Sequence, residues 1–150
     1  MSLAIRNLTK SALPRLPYKA IAEQVLGLSV SEVSLTFIGP SRSHELNRIY
    51  RGKDKPANIL TFPLAKNEGE ILIDLITTRA EAARTGALFT DYLRHLFIHG
   101  LLHLKGFDHG SRMESLERDI ISFFSRYGQN HRHRTRRRHS VGQSCSLRSH

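Results

Sequence analysis

The sequence predicts an α+β domain in which a small mixed sheet of three to four strands packs with four to five helices, one of them a zincin-like histidine helix. Two observations lead there. Short alternating or apolar runs such as Val33, Leu35, Phe37 and Ile71 to Ile76 lie among segments whose apolar residues recur at helical spacing. With 150 residues, 39% of them hydrophobic and 24% charged, the chain is long enough to bury roughly two-thirds of its unfolded surface in one core. No internal repeat divides it.

Leu3 to Leu8 reads as a first strand, followed by a proline-bounded loop. From Pro17 to Leu28, Ala20, Ile21, Val25 and Leu28 share a helical face, with Gly27 near the end. Val33, Leu35 and Phe37 alternate with Ser34 and Thr36 until Gly39-Pro40 stops the strand. A second helix around Ser43 to Tyr50 presents Leu46, Ile49 and Tyr50. The polar loop RGKDKPAN, Arg51 to Asn58, leads into the strand ILTFPL, and EILIDLI, Glu70 to Ile76, reads as a more fully buried strand. Thr78 with Glu81 has capping-box spacing for a helix reaching Leu88. The next helix runs from Thr90 or Asp91 to Lys105, with Leu93, Leu96, Phe97, Gly100, Leu101 and Leu104 on or near its buried face and Gly106 ending it. Ser111 and Glu114 open a last helix that docks Met113, Leu116, Ile120, Phe123, Phe124 and Tyr127 before Gly128.

Six of the ten net positive charges lie in residues 129–150, where Arg132, Arg134, Arg136, Arg137, Arg138 and Arg148 stand without a carboxylate. That divides the chain into a domain over 1–128 and a basic tail over 129–150, disordered when free because it has no apolar period to bury. The tail arginines suit the phosphates of a nucleic acid. The longest nearly uncharged stretch, Leu96 to Leu104, is too short to span a bilayer, so no membrane partner is expected. The lone Cys145 excludes a disulfide framework. The expected location is cytoplasmic; the minor alternative is mitochondrial, because Arg6, Lys10, Arg15 and Lys19 precede the first acidic residue, Glu23.

The segment HGLLHLKGFDH carries the chemistry. On a helix His99 and His103 lie on one face, roughly 6 Å apart at Cβ, close enough for two imidazoles to hold one ion. Gly106 lets the chain turn back and return His109 as a third ligand. Three neutral imidazoles suit one zinc and leave a coordination position open, which is the catalytic arrangement. Asp108 either orients a ligand from behind or forms a salt bridge between helices. His44 and His95 fall outside the pattern and read as surface or helix-face residues. The same histidine spacing occurs in metzincin proteases, but those need a glutamate directly after the first histidine, and here that position is Gly100.

These residues resemble the YbeY-type endoribonucleases of rRNA maturation, whose hallmark H-G-x-L-H-L-x-G-[FY]-D-H is matched throughout by His99 to His109. A second block of that family is matched by RGKDKPANILTFP, Arg51 to Pro63, and a shorter one by GEILI, Gly69 to Ile73. The resemblance implies a zinc-dependent, single-strand-specific endoribonuclease acting in 16S rRNA 3′-end maturation and ribosome quality control. It implies His99, His103 and His109 as zinc ligands and Arg51 as the catalytic arginine. Its partners would be single-stranded RNA within ribosomal particles and a ribosomal protein or assembly factor. Arg51 suits the role of phosphate clamp, because guanidinium is always charged and bonds phosphate oxygens bidentately. Taken alone, Arg51, Lys53 and Lys55 read as the charges of a solvated loop; the alternative is that Lys53 and Lys55 guide the RNA backbone, and Tyr50 and Phe62 either stack bases or pack in the core, the apolar faces favouring the core. A zinc metalloprotease-like hydrolase and an RNA-binding module with structural zinc are the competing readings.

Overall fold

A computed structural model of the chain describes residues 1–28, 30–107 and 110–124. Its strands are β1 (Ser2–Asn7), β2 (Glu32–Ile38), β3 (Ile59–Ala65) and β4 (Glu68–Asp74). Its helices are α1 (Tyr18–Leu26), α2 (Pro40–Arg51), α3 (Leu75–Thr85), α4 (Phe89–Leu104) and α5 (111–124). The sheet order is β1-β2-β4-β3, with β1, β2 and β4 parallel and β3 an antiparallel edge strand. This is the α+β architecture expected, with a mixed sheet.

The two central strands are buried on both faces, so each alternates between two cores. Val33, Leu35 and Phe37 of β2 and Ile71 and Ile73 of β4 meet α1 and α4 in the main core, with Tyr18, Ile21, Val25, Leu93, Phe97 and Leu101. Tyr18 packs edge-on against Phe37 at 5.9 Å and Phe97 at 5.6 Å between centroids, and its hydroxyl donates to the Pro14 carbonyl at 2.6 Å. Burial pushes the Tyr18 phenol up to about 12. The other face carries a smaller core of Ile38, Ala57, Leu60 and Leu72, which Leu46 of α2 and Phe62 help to cover.

Several boundaries differ from expectation for identifiable reasons. Helix α2 starts at Pro40, whose fixed φ suits a first helical turn, and continues through Arg51 until Gly52 caps it in the left-handed region at φ 67°. Arg51 is therefore the last residue of a helix, not part of a loop. Strand β4 stops at Asp74, because its carboxylate accepts from the Thr77 backbone N–H at 3.0 Å and the Thr77 hydroxyl at 2.6 Å. That N-cap turns Leu75 and Ile76 from expected strand into the first turn of α3, and Thr78 instead donates its hydroxyl to the Asp74 carbonyl at 2.7 Å. Helix α1 ends two residues before Leu28, which is left exposed, and Ile49, Tyr50 and Phe123 are also exposed rather than docked. Tyr127 and the tail lie outside the described residues.

Helix α4 lies so close to β3 that a Cβ at Gly100 would stand 2.6 Å from Ile59 Cδ1 and 3.2 Å from Thr61 Cγ2. The helix approaches the sheet edge through a missing side chain. Gly100→Ala gains ~0.5–1 kcal/mol of helix propensity against ~1–3 kcal/mol of overpacking, so the net effect should be a loss of about 1 kcal/mol. Thermal unfolding should show a Tm lower by about 4 °C; an unchanged Tm would mean that Ile59 and Thr61 yield at no cost.

Candidate functional site

Helix α4 brings His99 and His103 together on one face, with ring centroids 4.6 Å apart and ring planes inclined by 78°. Each Nδ1 has an acceptor behind it: Glu117 Oε1 at 2.5 Å from His99, and the Phe107 carbonyl at 3.0 Å from His103. Those acceptors assign the hydrogen of each neutral ring to Nδ1 and leave both Nε2 lone pairs directed inward. The two Nε2 atoms stand 3.0 Å apart. Ring nitrogens that close suit a shared cation, and nitrogens bound to one tetrahedral zinc at ~2.0–2.1 Å stand ~3.3 Å apart. Both the donor chemistry and the spacing fit two ligands of one metal ion.

The turn after α4 makes this possible. Gly106 takes φ 102°, and its N–H bonds the His103 carbonyl at 3.0 Å, so the chain doubles back and the Phe107 carbonyl reaches the His103 ring. His109, the expected third ligand, and Asp108 lie outside the described residues. Among the described residues no group of three His, Cys, Asp or Glu is arranged to hold a metal ion.

A cleft of about 450 Å³ opens over the two histidines, with Arg51, Lys53, Asn58, Tyr92 and His95 in its walls and, among the described residues, no carboxylate in its lining. Such a surface attracts a polyanion. Arg51 reaches it from the end of α2, and Lys53 from the loop that follows. That loop is held to α2 by the Asn47 amide donating to the Lys55 carbonyl at 2.8 Å and by a 2.6 Å contact between His44 Nε2 and Asp54. His44 thus anchors the basic loop. The exposed Lys55 is not among the lining residues, so the structure brings Arg51 and Lys53 to the histidines but not Lys55. Arg132, Arg134, Arg136, Arg137 and Arg138 lie outside the described residues.

At the far wall, the Asn58 amide and the Tyr92 hydroxyl both donate to Glu81 Oε2 at 2.8 Å. Burial, reinforced by the Glu81 hydrogen bond and charge, raises the Tyr92 phenol above its ordinary range, so it remains a neutral donor. Tyr50 is not core: it is 64% exposed and meets Phe62 edge-on at 5.1 Å beside a second groove on the opposite sheet face.

Sequence reasoning passed over two residues of this site. His95 lies one turn before His99, a spacing that would have placed it on the same face, and its Nε2 is 3.0 Å from Glu117 Oε2. Glu117 comes from α5, is only 7% exposed, and touches both His95 and His99. Its position four residues after Met113, three before Ile120 and seven before Phe124 puts it on the buried stripe of the last helix, a signal that the apolar residues alone did not bring out.

The family model for Endoribonuclease YbeY matches residues 3–125. The chain is 41% identical over 106 residues to the Endoribonuclease YbeY of Chromohalobacter salexigens, covering 63% of this chain and 69% of that protein. It is 33% identical over 150 residues to the Endoribonuclease YbeY of Geobacter metallireducens, covering 85% of this chain and 99% of that protein. The fold is also that of a Thermotoga maritima protein solved in solution, with a TM-score of 0.61, 23% identity, and coverage of 86% and 93% of the two chains. With the family match extending over the sheet and all five helices, the chain belongs to the YbeY endoribonuclease family.

Proposed function

We propose that this protein is a metal-dependent endoribonuclease that cuts single-stranded RNA, with His99, His103 and His109 holding one zinc ion and Arg51 gripping the scissile phosphate. The observation that carries this reading is the convergence of the His99 and His103 Nε2 atoms, 3.0 Å apart, at the floor of a cleft whose walls include Arg51 and Lys53. Zinc held there would supply Lewis-acid stabilisation of the negative charge that develops on the phosphate oxygens. The protein's own groups do the rest. Arg51 binds phosphate oxygens bidentately, Lys53 offsets the charge of the adjoining backbone, and Glu117 and the Phe107 carbonyl hold the two imidazoles in the tautomer that presents Nε2. The substrate class follows from family membership, and we extend it to 16S rRNA 3′-end maturation and ribosome quality control, on RNA presented within ribosomal particles by a ribosomal protein or assembly factor. We place that work in the cytoplasm. Among the described residues, no helix is long and apolar enough to cross a membrane.

A zinc protease is the weaker reading on physical grounds, because position 100 is a glycine that carries no general base, and its Cβ direction points at Ile59 and Thr61. The direct test incubates metal-loaded protein with single-stranded RNA, duplex RNA and casein, with and without chelator. Chelator-sensitive cleavage of single-stranded RNA alone is expected; casein cleavage, or RNA binding without cleavage, would overturn the assignment.

Arg51→Ala should keep its metal and fold yet cut RNA about 10²–10³-fold more slowly in single turnover, the loss of ~3–4 kcal/mol typical of one preorganised donor. Arg51→Lys should recover part of this, since a point charge cannot reproduce a two-toothed grip. His103→Ala should lose metal and activity together. Near wild-type cleavage by Arg51→Ala would remove the arginine from the mechanism.

Glu117→Gln keeps the shape of the side chain but weakens the acceptor behind His99, so metal affinity should fall about 10–100-fold. A zinc titration against a competing chelator measures this directly, and unchanged affinity would reduce Glu117 to a helix clamp.

The tail is a separate electrostatic unit in this proposal. Truncation after Gly128 should leave the unfolding temperature unchanged, weaken RNA binding, and flatten its dependence on salt because fewer counterions are released. An unchanged salt slope would assign the tail arginines to another partner.

A further inference from the structure

The cleft holds a third histidine that the metal reading leaves without a task. His95 is in its wall, one helical turn from His99, with its side chain 56% exposed where that of Glu117 is 9% exposed. Its one hydrogen bond among the described residues joins Nε2 to Glu117 Oε2 at 3.0 Å. Glu117 is an ionisable side chain carried on a different helix, buried, and shared between this ring and a metal ligand. A carboxylate can only accept, so the contact fixes a hydrogen on His95 Nε2 and leaves Nδ1 as the nitrogen that exchanges a proton with anything entering the cleft. A carboxylate orienting an imidazole whose other nitrogen faces chemistry is the arrangement by which side chains transfer protons in many hydrolases.

We infer that His95 is the general acid of the cleavage reaction and that Glu117 is its positioning residue. The inference rests on the endoribonuclease reading above. In hydrolysis the oxygen of water bonds to phosphorus and its released proton goes to solvent. The bond from phosphorus to the leaving ribose oxygen breaks, and its electron pair stays on that oxygen. The Nδ1 proton of doubly protonated His95 passes to the same oxygen, which leaves as a hydroxyl, and the ring regains a proton from solvent. Glu117 keeps Nε2–H engaged throughout, so the ring turns over between its cationic form and a single neutral tautomer. Arg51 and Lys53, in the same cleft, hold the phosphate within reach of this wall. One buried carboxylate thereby sets both a metal ligand and the proton donor, which fixes their relative positions without a second scaffold.

The test uses the full-length, metal-loaded protein and a single-stranded RNA in single turnover. His95→Ala removes an exposed ring, so metal content and RNA affinity should stay near wild type while cleavage falls about 10²–10⁴-fold. Because the vacated position is open to solvent, added imidazole should restore cleavage at least ~10-fold in this variant while leaving wild type and Arg51→Ala unchanged. Cleavage near the wild-type rate, loss of metal in proportion to activity, or a defect that imidazole does not relieve would each overturn the assignment. An activity-independent readout separates this proposal from the reading beneath it: nitrogen-15 NMR of the imidazoles should show neutral His95 as the Nε2–H tautomer, and Glu117→Gln should abolish that preference. An Nδ1–H or mixed tautomer in the wild-type protein would overturn the proposed role of Glu117 even if RNA is cleaved, whereas the expected tautomer in a protein that cuts no RNA would count against the endoribonuclease reading instead.

Discussion

The close passage of α4 over the β3 edge is the constraint on which the site depends. Gly100 allows it, since any larger side chain there would meet Ile59 and Thr61. The helix is thereby lowered until its buried face, Leu93, Phe97 and Leu101, seals against β2 and β4. Its neighbouring face, one residue round at His99 and two turns long from His95 to His103, is left at the rim of the sheet. Arg51 arrives at the same rim because α2 packs on the opposite sheet face and its last turn overhangs the edge. Two elements on opposite sides of one sheet thus meet across its edge strand, and the cleft is the gap between them. The glycine that stands where a metzincin protease carries its general base is the same glycine that lets the helix sit close to the sheet edge, in one cleft with Arg51 and Lys53.

Polar groups in the site are arranged by burial in a graded way. Glu117 is almost fully covered, His99 is a quarter exposed in its side chain and His95 more than half exposed. A buried carboxylate without partners would be strongly unfavourable, and the two imidazoles satisfy it. In return it dictates which nitrogen of each ring faces outward. The Phe107 carbonyl does the same for His103 by a backbone route, through the turn at Gly106. Orientation here costs little conformational entropy, since the acceptors are fixed by α5 packing and by a turn that the chain needs in any case.

Much of the fold was legible in the sequence because its signals were periodic. The alternation of Val33, Leu35 and Phe37, the apolar stripe of α4 and the glycine stop at Gly106 all translate directly into backbone geometry. The misreadings arose where two local signals competed. The Thr78–Glu81 spacing reads as the helix cap and leaves Asp74 in an apolar strand run; the carboxylate of Asp74, bonded additionally by the buried Ser43 hydroxyl at 2.6 Å, caps the helix instead and shortens β4. Arg51 looked like loop because polar residues follow it, yet Gly52 supplies the left-handed cap one residue later. His99, His103 and Arg51 could be picked out from motif spacing. His95 and Glu117 could not be paired, since their contact joins residues 22 apart through the docking of α5 on α4; the Met113, Ile120, Phe124 stripe includes position 117, but periodicity does not say which residue of another helix meets it. Tyr50 failed in the opposite sense: it fits an apolar stripe, but α2 covers only part of its sheet face, so the stripe outruns the core.

The electrostatic character of the cleft follows from where the carboxylates are placed. The described chain contains acidic residues close to the site, and each is occupied. Glu81 is bonded by Asn58 and Tyr92, Asp54 by His44, and Glu117 by two histidines. None of these three lines the cleft, and among the described lining residues the fixed charges are those of Arg51 and Lys53. For a polyanionic substrate this matters more than the overall charge of the chain, because salt screens charges over about 8–10 Å, so cations in the cleft itself act on a bound anion more strongly than charges elsewhere on the surface. The carboxylates that organise the site stand behind the histidines and the Asn58–Tyr92 pair, and that separation is what allows one small domain to place hydrogen-bonding acids around a cleft whose described walls carry Arg51 and Lys53.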